Sequence, residues 1–175
     1  MGSDPGAHLL NLAQGLGSLL RDQRLVLVTA ESCTAGGIAF AVTQVPGSSQ
    51  WFDRGVIVYS NESKQRMLGV PSVYLRDFGA VSEPVARAMA LGVLQPSPAH
   101  AAIAVTGIAG PDGGTAEKPV GTVCFAFALR RDASAAPWVQ TMTRHLPGDR
   151  AAVRTAAIAY ALEEMSLMLQ KRETV

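Results

Sequence analysis

From His8 to Leu20 the apolar residues Leu9, Leu10, Leu12, Leu16, Leu19 and Leu20 recur at helical spacing, in spite of Gly15 and Gly17, and predict an amphipathic first helix. Leu25 to Val28 is a continuous apolar run, the pattern of a strand buried on both faces, and it breaks off at Thr29-Ala30-Glu31-Ser32. Small and apolar residues from Thr34 to Val45 predict a buried helix, closed by Pro46-Gly47-Ser48-Ser49. Val56 to Tyr59 predicts a second strand. Asn61 is placed as the N-cap of a short helix from Glu62 to Leu68, with Gly69 as its stop. Pro71 to Phe78 reads as a further helical turn or two, and Ser82-Glu83-Pro84 opens a helix to about Leu94, with Pro84 in the first turn.

Ala101 to Val105 and Val120 to Leu129 predict two more strands, and the small, polar segment from Arg130 to Ala136 connects the second of these to Trp138 through Leu146 as a hairpin. Asp149 to about Gln170 carries Val153, Ala157, Tyr160, Ala161, Met165 and Met168 on one stripe of a last helix. Strands alternating with helices predict an α/β fold, a three-layer α/β/α sandwich. The hairpin makes its sheet mixed, though mostly parallel. No internal repeat or linker divides the chain, so residues 8–170 read as one domain and residues 1–7 as a flexible tail.

Composition narrows the class of protein. A chain of 175 residues fits one domain and can bury about two-thirds of its extended surface. Its 48% hydrophobic and 17% charged residues exclude disorder over most of its length. Fifteen basic residues against fourteen acidic give +1, too little to collect polyanions or charged membranes, so direct nucleic-acid binding is not expected. Two cysteines, Cys33 and Cys124, cannot make a disulfide framework or a cysteine zinc site. No apolar run approaches the roughly 18–20 residues of a membrane span, and no signal-peptide pattern opens the chain. A protein of the reducing cytoplasm is expected. His8, His100 and His145 are far apart with no ligand spacing around them, so no metal is expected.

Ligands of open α/β sheets collect at the carboxyl ends of strands. Three such ends are polar, hydroxyl-bearing or glycine-rich: Glu31 to Gly36, Tyr59 to Lys64, and Thr106 to Gly114. With a common strand direction they converge on one cleft, and Glu31, Cys33, Thr34, Gly36, Asn61, Gly107, Gly110, Gly113 and Gly114 are the candidate substrate-binding positions. Ser32 stands where strand becomes helix, as a nucleophile near a positive helix end or simply, with Thr34, as a helix cap. Cys33 is a rival nucleophile with no activator nearby, which favours a buried, inert thiol. Lys64 could activate a serine only as a neutral amine, which burial favours; the alternative is a solvated surface lysine. Tyr59 is a proton-relay hydroxyl or a packing residue. The four glycines from Thr106 to Gly114 allow close backbone approach to a phosphate or oxyanion, but the segment is neither a Walker loop nor a dinucleotide fingerprint. Arg144, Arg150 and Arg154 could receive a phosphate or form a plain surface face. Trp51 and Phe52, beside a turn, hint at self-association.

Taken together, Ala30 to Gly36, Pro46 to Ser49 with Trp51-Phe52, Gly55 to Asn61, Lys64, Leu68-Gly69-Val70, Gly79 to Glu83, Thr106 to Gly114, Lys118 to Val123 and Pro147 to Arg150 resemble the CinA carboxy-terminal-domain family. The resemblance runs from about His8 to Leu169. It implies a cofactor-free amidohydrolase that converts nicotinamide mononucleotide and water to nicotinate mononucleotide and ammonia in pyridine-nucleotide recycling, and a homo-oligomer. On it, Ser32 is the nucleophile and Lys64 the base, Tyr59 and Thr106 are supporting hydroxyls, and backbone N–H groups near Ser32 and Gly107 hold the oxyanion. The rival expectation is a non-catalytic nucleotide-binding or protein-interaction domain, as the family's link to competence and DNA damage invites. One departure stands out: many members read Glu-Ser-Cys-Thr-Gly-Gly, whereas Ala35 occupies the first glycine position here. Placed on the first turn of a helix, its methyl group is expected to be tolerated.

Overall fold

The computed structural model describes residues 4–132 and 134–173. The chain runs α1 (Pro5–Asp22), β1 (Leu27–Glu31), α2 (Gly37–Thr43), a 3₁₀ turn (Ser48–Gln50), β2 (Phe52–Ile57), α3 (Asn61–Leu68), α4 (Ser72–Phe78), α5 (Glu83–Leu94), β3 (Ala101–Gly107), β4 (Thr122–Leu129), β5 (Trp138–His145) and α6 (Arg150–Glu173). Helix α1 begins three residues before His8, where the Asp4 carboxylate accepts from the Gly6 amide and Pro5 occupies the first turn. Residues 1–3 of the expected tail lie outside the described residues. Among the described residues no helix is long and apolar enough to cross a membrane.

The five strands lie in the order β2-β1-β3-β4-β5. β1 pairs in parallel with both β2 and β3, while β3–β4 and β4–β5 are antiparallel, so β4 alone runs against the rest. Side-chain alternation sorts the sheet into two cores. Toward α1, α2 and α6 it presents Leu27, Ile103, Val105, Val123, Phe125 and Phe127. Toward α5 it presents Val28 and Ala30 with the small residues Ala102, Ala104, Cys124, Ala126 and Ala128. The alanine-lined face lets α5 lie close against the sheet. At its far end, the buried Arg130 guanidinium donates to the Leu94, Ser97 and Ala99 carbonyls.

The departures from the sequence reading share a cause. β1 does not stop at Val28; it continues through Thr29, Ala30 and Glu31, all fully buried, because the polar side chains at 29 and 31 find hydrogen-bond partners inside. β2 is not Val56 to Tyr59 but begins at Phe52: it is an edge strand whose Asp53 and Arg54 face solvent, so it lacks an apolar run. α2 starts at Gly37, not Thr34, because Ala35 and Gly36 adopt left-handed backbone, φ +50° and +88°. α3 is capped by Ser60, paired reciprocally with Ser63, rather than by Asn61. Trp51, expected at a surface of self-association, is fully buried, and a Cβ on Gly17 would lie 2.7 Å from its ring.

Candidate active site

From β1 the chain leaves on one face of the sheet through α2 to reach β2, then crosses on the other face through α3, α4 and α5 to reach β3. The carboxyl end of β1, flanked by β2 and β3, is therefore a topological switch point where a crevice must open. Ser32 is the first residue past that end. Continuing the alternation of β1, Glu31 turns toward α2 and Ser32 toward the face that carries α3, where Lys64 sits on the second turn.

Lys64 is 1% exposed and Ser32 7%. The Lys64 Nζ lies 3.1 Å from Ser32 Oγ, 3.0 Å from the Val58 carbonyl oxygen and 3.2 Å from that of Tyr59. No carboxylate forms an ion pair with Lys64 among the described residues. Burial, the dominant cause, holds its pKa below the ordinary lysine value against an opposing effect from Cys33. A neutral amine has two N–H donors and one lone pair, which matches two carbonyls and one hydroxyl. The arrangement can draw the proton from Ser32 and return it to a leaving group. Burial pushes the neighbouring Cys33 thiol up to about 12, which leaves it protonated and a poor nucleophile.

A cavity of about 250 Å³ opens over this pair. Ser32, Cys33, Tyr59, Asn61 and Lys64 line it from one side, and Thr106, Gly107, Gly110 and Gly113 from the other, so nine of the sequence-derived positions meet. A larger apolar cleft of about 560 Å³ beside the β4–β5 connection contains none of them. Both hydroxyls expected in support have partners in the cavity wall. The Thr106 hydroxyl donates to the Ala80 carbonyl, and the Tyr59 hydroxyl accepts from the Arg150 guanidinium, each at a distance suited to holding a wall in place. The Ser32 amide donates to the Val105 carbonyl at 3.0 Å and is thereby withdrawn from holding an oxyanion.

Glu31, Thr34, Gly36 and Gly114 do not line the cavity. The Glu31 carboxylate, fully buried, accepts from the Thr29 and Thr34 hydroxyls and from the Ile38 and Ala39 amides. It therefore caps α2, in the place expected of Ser32 or Thr34, and occupies the positive helix end that was expected beside Ser32. Ala35 is exposed in the left-handed turn rather than on a helix's first turn. Gly36 abuts Ile57, and Gly114 packs on the Val120 backbone.

Five lining residues are not singled out by the sequence, Ala80, Val81, Ile108, Ala109 and Asp112, and a sixth, Arg150, is offered only together with Arg144 and Arg154. Arg150, at the start of α6, donates to the Gly110 carbonyl and the Tyr59 hydroxyl, both at 2.8 Å, across the cavity mouth. Arg154 instead donates to the Thr34 carbonyl, and Arg144 lies over the Tyr160 ring, so the three arginines do not form one face. Ala80 and Val81 belong to the Gly79 to Glu83 motif. That segment is pinned where the Glu83 carboxylate, held below its usual range by the Thr141 and Thr143 hydroxyls, accepts from β5. No group of residues able to hold a metal ion occurs among the described residues.

The CinA C-terminal domain description matches residues 9–169 of this chain. A protein of Symbiobacterium thermophilum named for competence and damage induction is 54% identical over 162 residues, covering 90% of this chain but 38% of that protein. The chain thus spans well under half the length of that relative. The nicotinamide-nucleotide amidohydrolase PncC of Escherichia coli K12 is 47% identical over 161 residues, with 91% of this chain and 93% of that protein covered. Among solved structures, the competence/damage inducible protein CihA of Agrobacterium tumefaciens superposes with a TM-score of 0.84 at 42% identity, covering 93% of this chain and 96% of that one.

Proposed function

The chain belongs to the CinA C-terminal domain family, and on that premise we propose that it is a serine–lysine amidohydrolase that deamidates nicotinamide mononucleotide. The observation that carries the mechanism is the 3.1 Å approach of Ser32 Oγ to a buried lysine amine that forms no ion pair among the described residues. The nucleotide assignment draws on the similarity to PncC, which is named for that activity and is matched over nearly its whole length.

Lys64 takes the Ser32 proton as Oγ attacks the carboxamide carbon. The C–N bond breaks and ammonia leaves with the proton returned from Lys64. Water then attacks the acyl-serine, giving its proton to Lys64, and the ester C–O bond breaks to release the carboxylate and restore the Ser32 hydroxyl. With the Ser32 amide committed to Val105, the newly formed Lys64 ammonium, adjacent to Ser32 Oγ, supplies positive charge to the developing oxyanion. At the mouth, Arg150 uses two of its five N–H donors on Gly110 and Tyr59, and we assign the remaining ones to the nucleotide phosphate beside the Gly110–Gly113 loop. Nothing in this scheme calls for a cofactor. On the same resemblance we place the protein in cytoplasmic pyridine-nucleotide recycling, as a homo-oligomer.

The test is release of ammonia and nicotinate mononucleotide by the purified protein. Ser32→Ala is expected to lower the rate by at least about 10³-fold. Undiminished turnover by Ser32→Ala overturns the mechanism, and tight binding of the mononucleotide without turnover would favour a binding module instead.

A further inference from the structure

The sequence groups Glu31 and Thr34 with the substrate contacts, yet neither reaches the cavity, and the Glu31 carboxylate is fully buried and forms no ion pair among the described residues. An uncompensated buried charge is costly unless its lone pairs are satisfied. Here each oxygen has two donors. Oε1 accepts from the Ala39 amide at 2.9 Å and the Thr29 hydroxyl at 3.3 Å. Oε2 accepts from the Thr34 hydroxyl at 2.7 Å and the Ile38 amide at 3.0 Å. One carboxylate therefore ties together the end of β1, the start of α2 and the turn between them.

Ser32 and Cys33 are the residues enclosed by the Glu31–Thr34 bond. The Ser32 main chain is fixed at both of its polar groups: its amide donates to the Val105 carbonyl, and its carbonyl accepts from the Ala35 amide at 3.1 Å. From outside the turn, Arg154 donates to the Thr34 carbonyl at 3.0 Å. Only the Ser32 side chain is left to choose a direction, and it points at Lys64.

We propose that Glu31, acting through Thr34 and the start of α2, is the positioning residue that holds Ser32 Oγ against Lys64, and that it makes no contact with substrate. The inference rests on the serine–lysine reading above. A carboxylate suits this duty better than its amide. All four partners are donors, so a Gln side chain would set its own NH₂ against two of them.

The experiment follows covalent labelling of Ser32 by a fluorophosphonate, together with steady-state deamidation of nicotinamide mononucleotide, in variants whose folding is checked by near-UV circular dichroism. Glu31→Gln and Thr34→Val are expected to slow labelling and lower kcat by about 10- to 100-fold, the scale of a displacement near 1 Å, with KM within about twofold of wild type. Thr34→Ser, which keeps the hydroxyl, should recover most of the labelling rate, and the double variant Glu31→Gln/Thr34→Val should be no slower than Glu31→Gln alone. Thr34→Val leaves three donors on the carboxylate and keeps the test valid should Glu31→Gln fail to fold. Labelling at the wild-type rate in folded Thr34→Val, or a raised KM with unchanged kcat in either variant, overturns the positioning role while leaving the dyad intact. A wild-type protein that is not labelled at Ser32 overturns the dyad, and the inference with it.

Discussion

Across the cavity from the turn that carries Ser32 lies the loop from Gly107 to Gly121, and the two are built from different materials. Residues 31–34 are buried, and side-chain bonds to one carboxylate define their shape. Residues 111–117 are exposed, and the loop is closed by backbone bonds: Ile108 to the Thr122 carbonyl, Gly121 to the Ile108 carbonyl and Thr115 to the Lys118 carbonyl. Its turns rely on glycine at Gly110, Gly113 and Gly121, where φ is +82°, +89° and +93°. Side chains tie it outward, the Lys118 amine to the Phe78 carbonyl in the wall before α5 and Arg150 to the Gly110 carbonyl. The contrast separates two tasks. Atoms that exchange a proton must be fixed within tenths of an ångström, whereas a phosphorylated substrate can be gathered by an exposed backbone and one guanidinium.

The largest effect falls on the buried side. Lys64→Met should lower kcat by at least about 10³-fold with little change in KM, because Lys64 is the amine in hydrogen-bond reach of Ser32 Oγ. On the exposed side, Arg150→Ala removes a charge-assisted contact worth about 1.5–3 kcal/mol, and should cost about 10- to 100-fold in kcat/KM, mainly through KM. An Arg150→Ala enzyme that loses kcat while keeping its KM would erase the distinction between the two walls.

Protonation gives the next contrast. The proposed role of Lys64 as a base requires the neutral amine, and burial lowers its pKa from 10.5. Rate should rise with pH through that lowered pKa and fall about tenfold per unit below it. The stability sign follows from the same shift. Between the folded pKa and 10.5 the unfolded chain binds the extra proton, so wild type gains stability relative to Lys64→Met as pH rises toward 10.5. Equal pH dependence of the two melting temperatures in that window would contradict it.

The smallest effect tests the turn itself. Ala35 pays the left-handed cost of an L-residue at φ +50°, so Ala35→Gly should stabilise the protein by about 1 kcal/mol in urea unfolding. Gly36→Ala should do the reverse by about 1–2 kcal/mol, since its Cβ would also lie 2.9 Å from the end of Ile57.

Much of this was legible in the chain. Ser32, Lys64 and the glycines at 107, 110 and 113 could be singled out, because strand ends, helix caps and glycine-rich turns are local signals. Arg150 could not be distinguished from Arg144 and Arg154, since only the docking of α6 decides which of the three faces the mouth. Ala80 and Val81 carry no chemistry of their own and become cavity wall only through Thr106 and Glu83. The true extent of β1 was hidden because Thr29 and Glu31 look like a loop until their partners are in place.

By itself the sequence determined the order of helices and strands and the mixed sheet, because burial periodicity and turn signals are properties of short stretches of chain. Tertiary structure decided that Ser32 meets a lysine 32 residues away, that burial favours the neutral form of that lysine, and that the Glu31 carboxylate binds the turn and the start of α2 instead of lining the cavity. Those outcomes depend on which elements pack together and on how much water they exclude, and neither is encoded in any one segment.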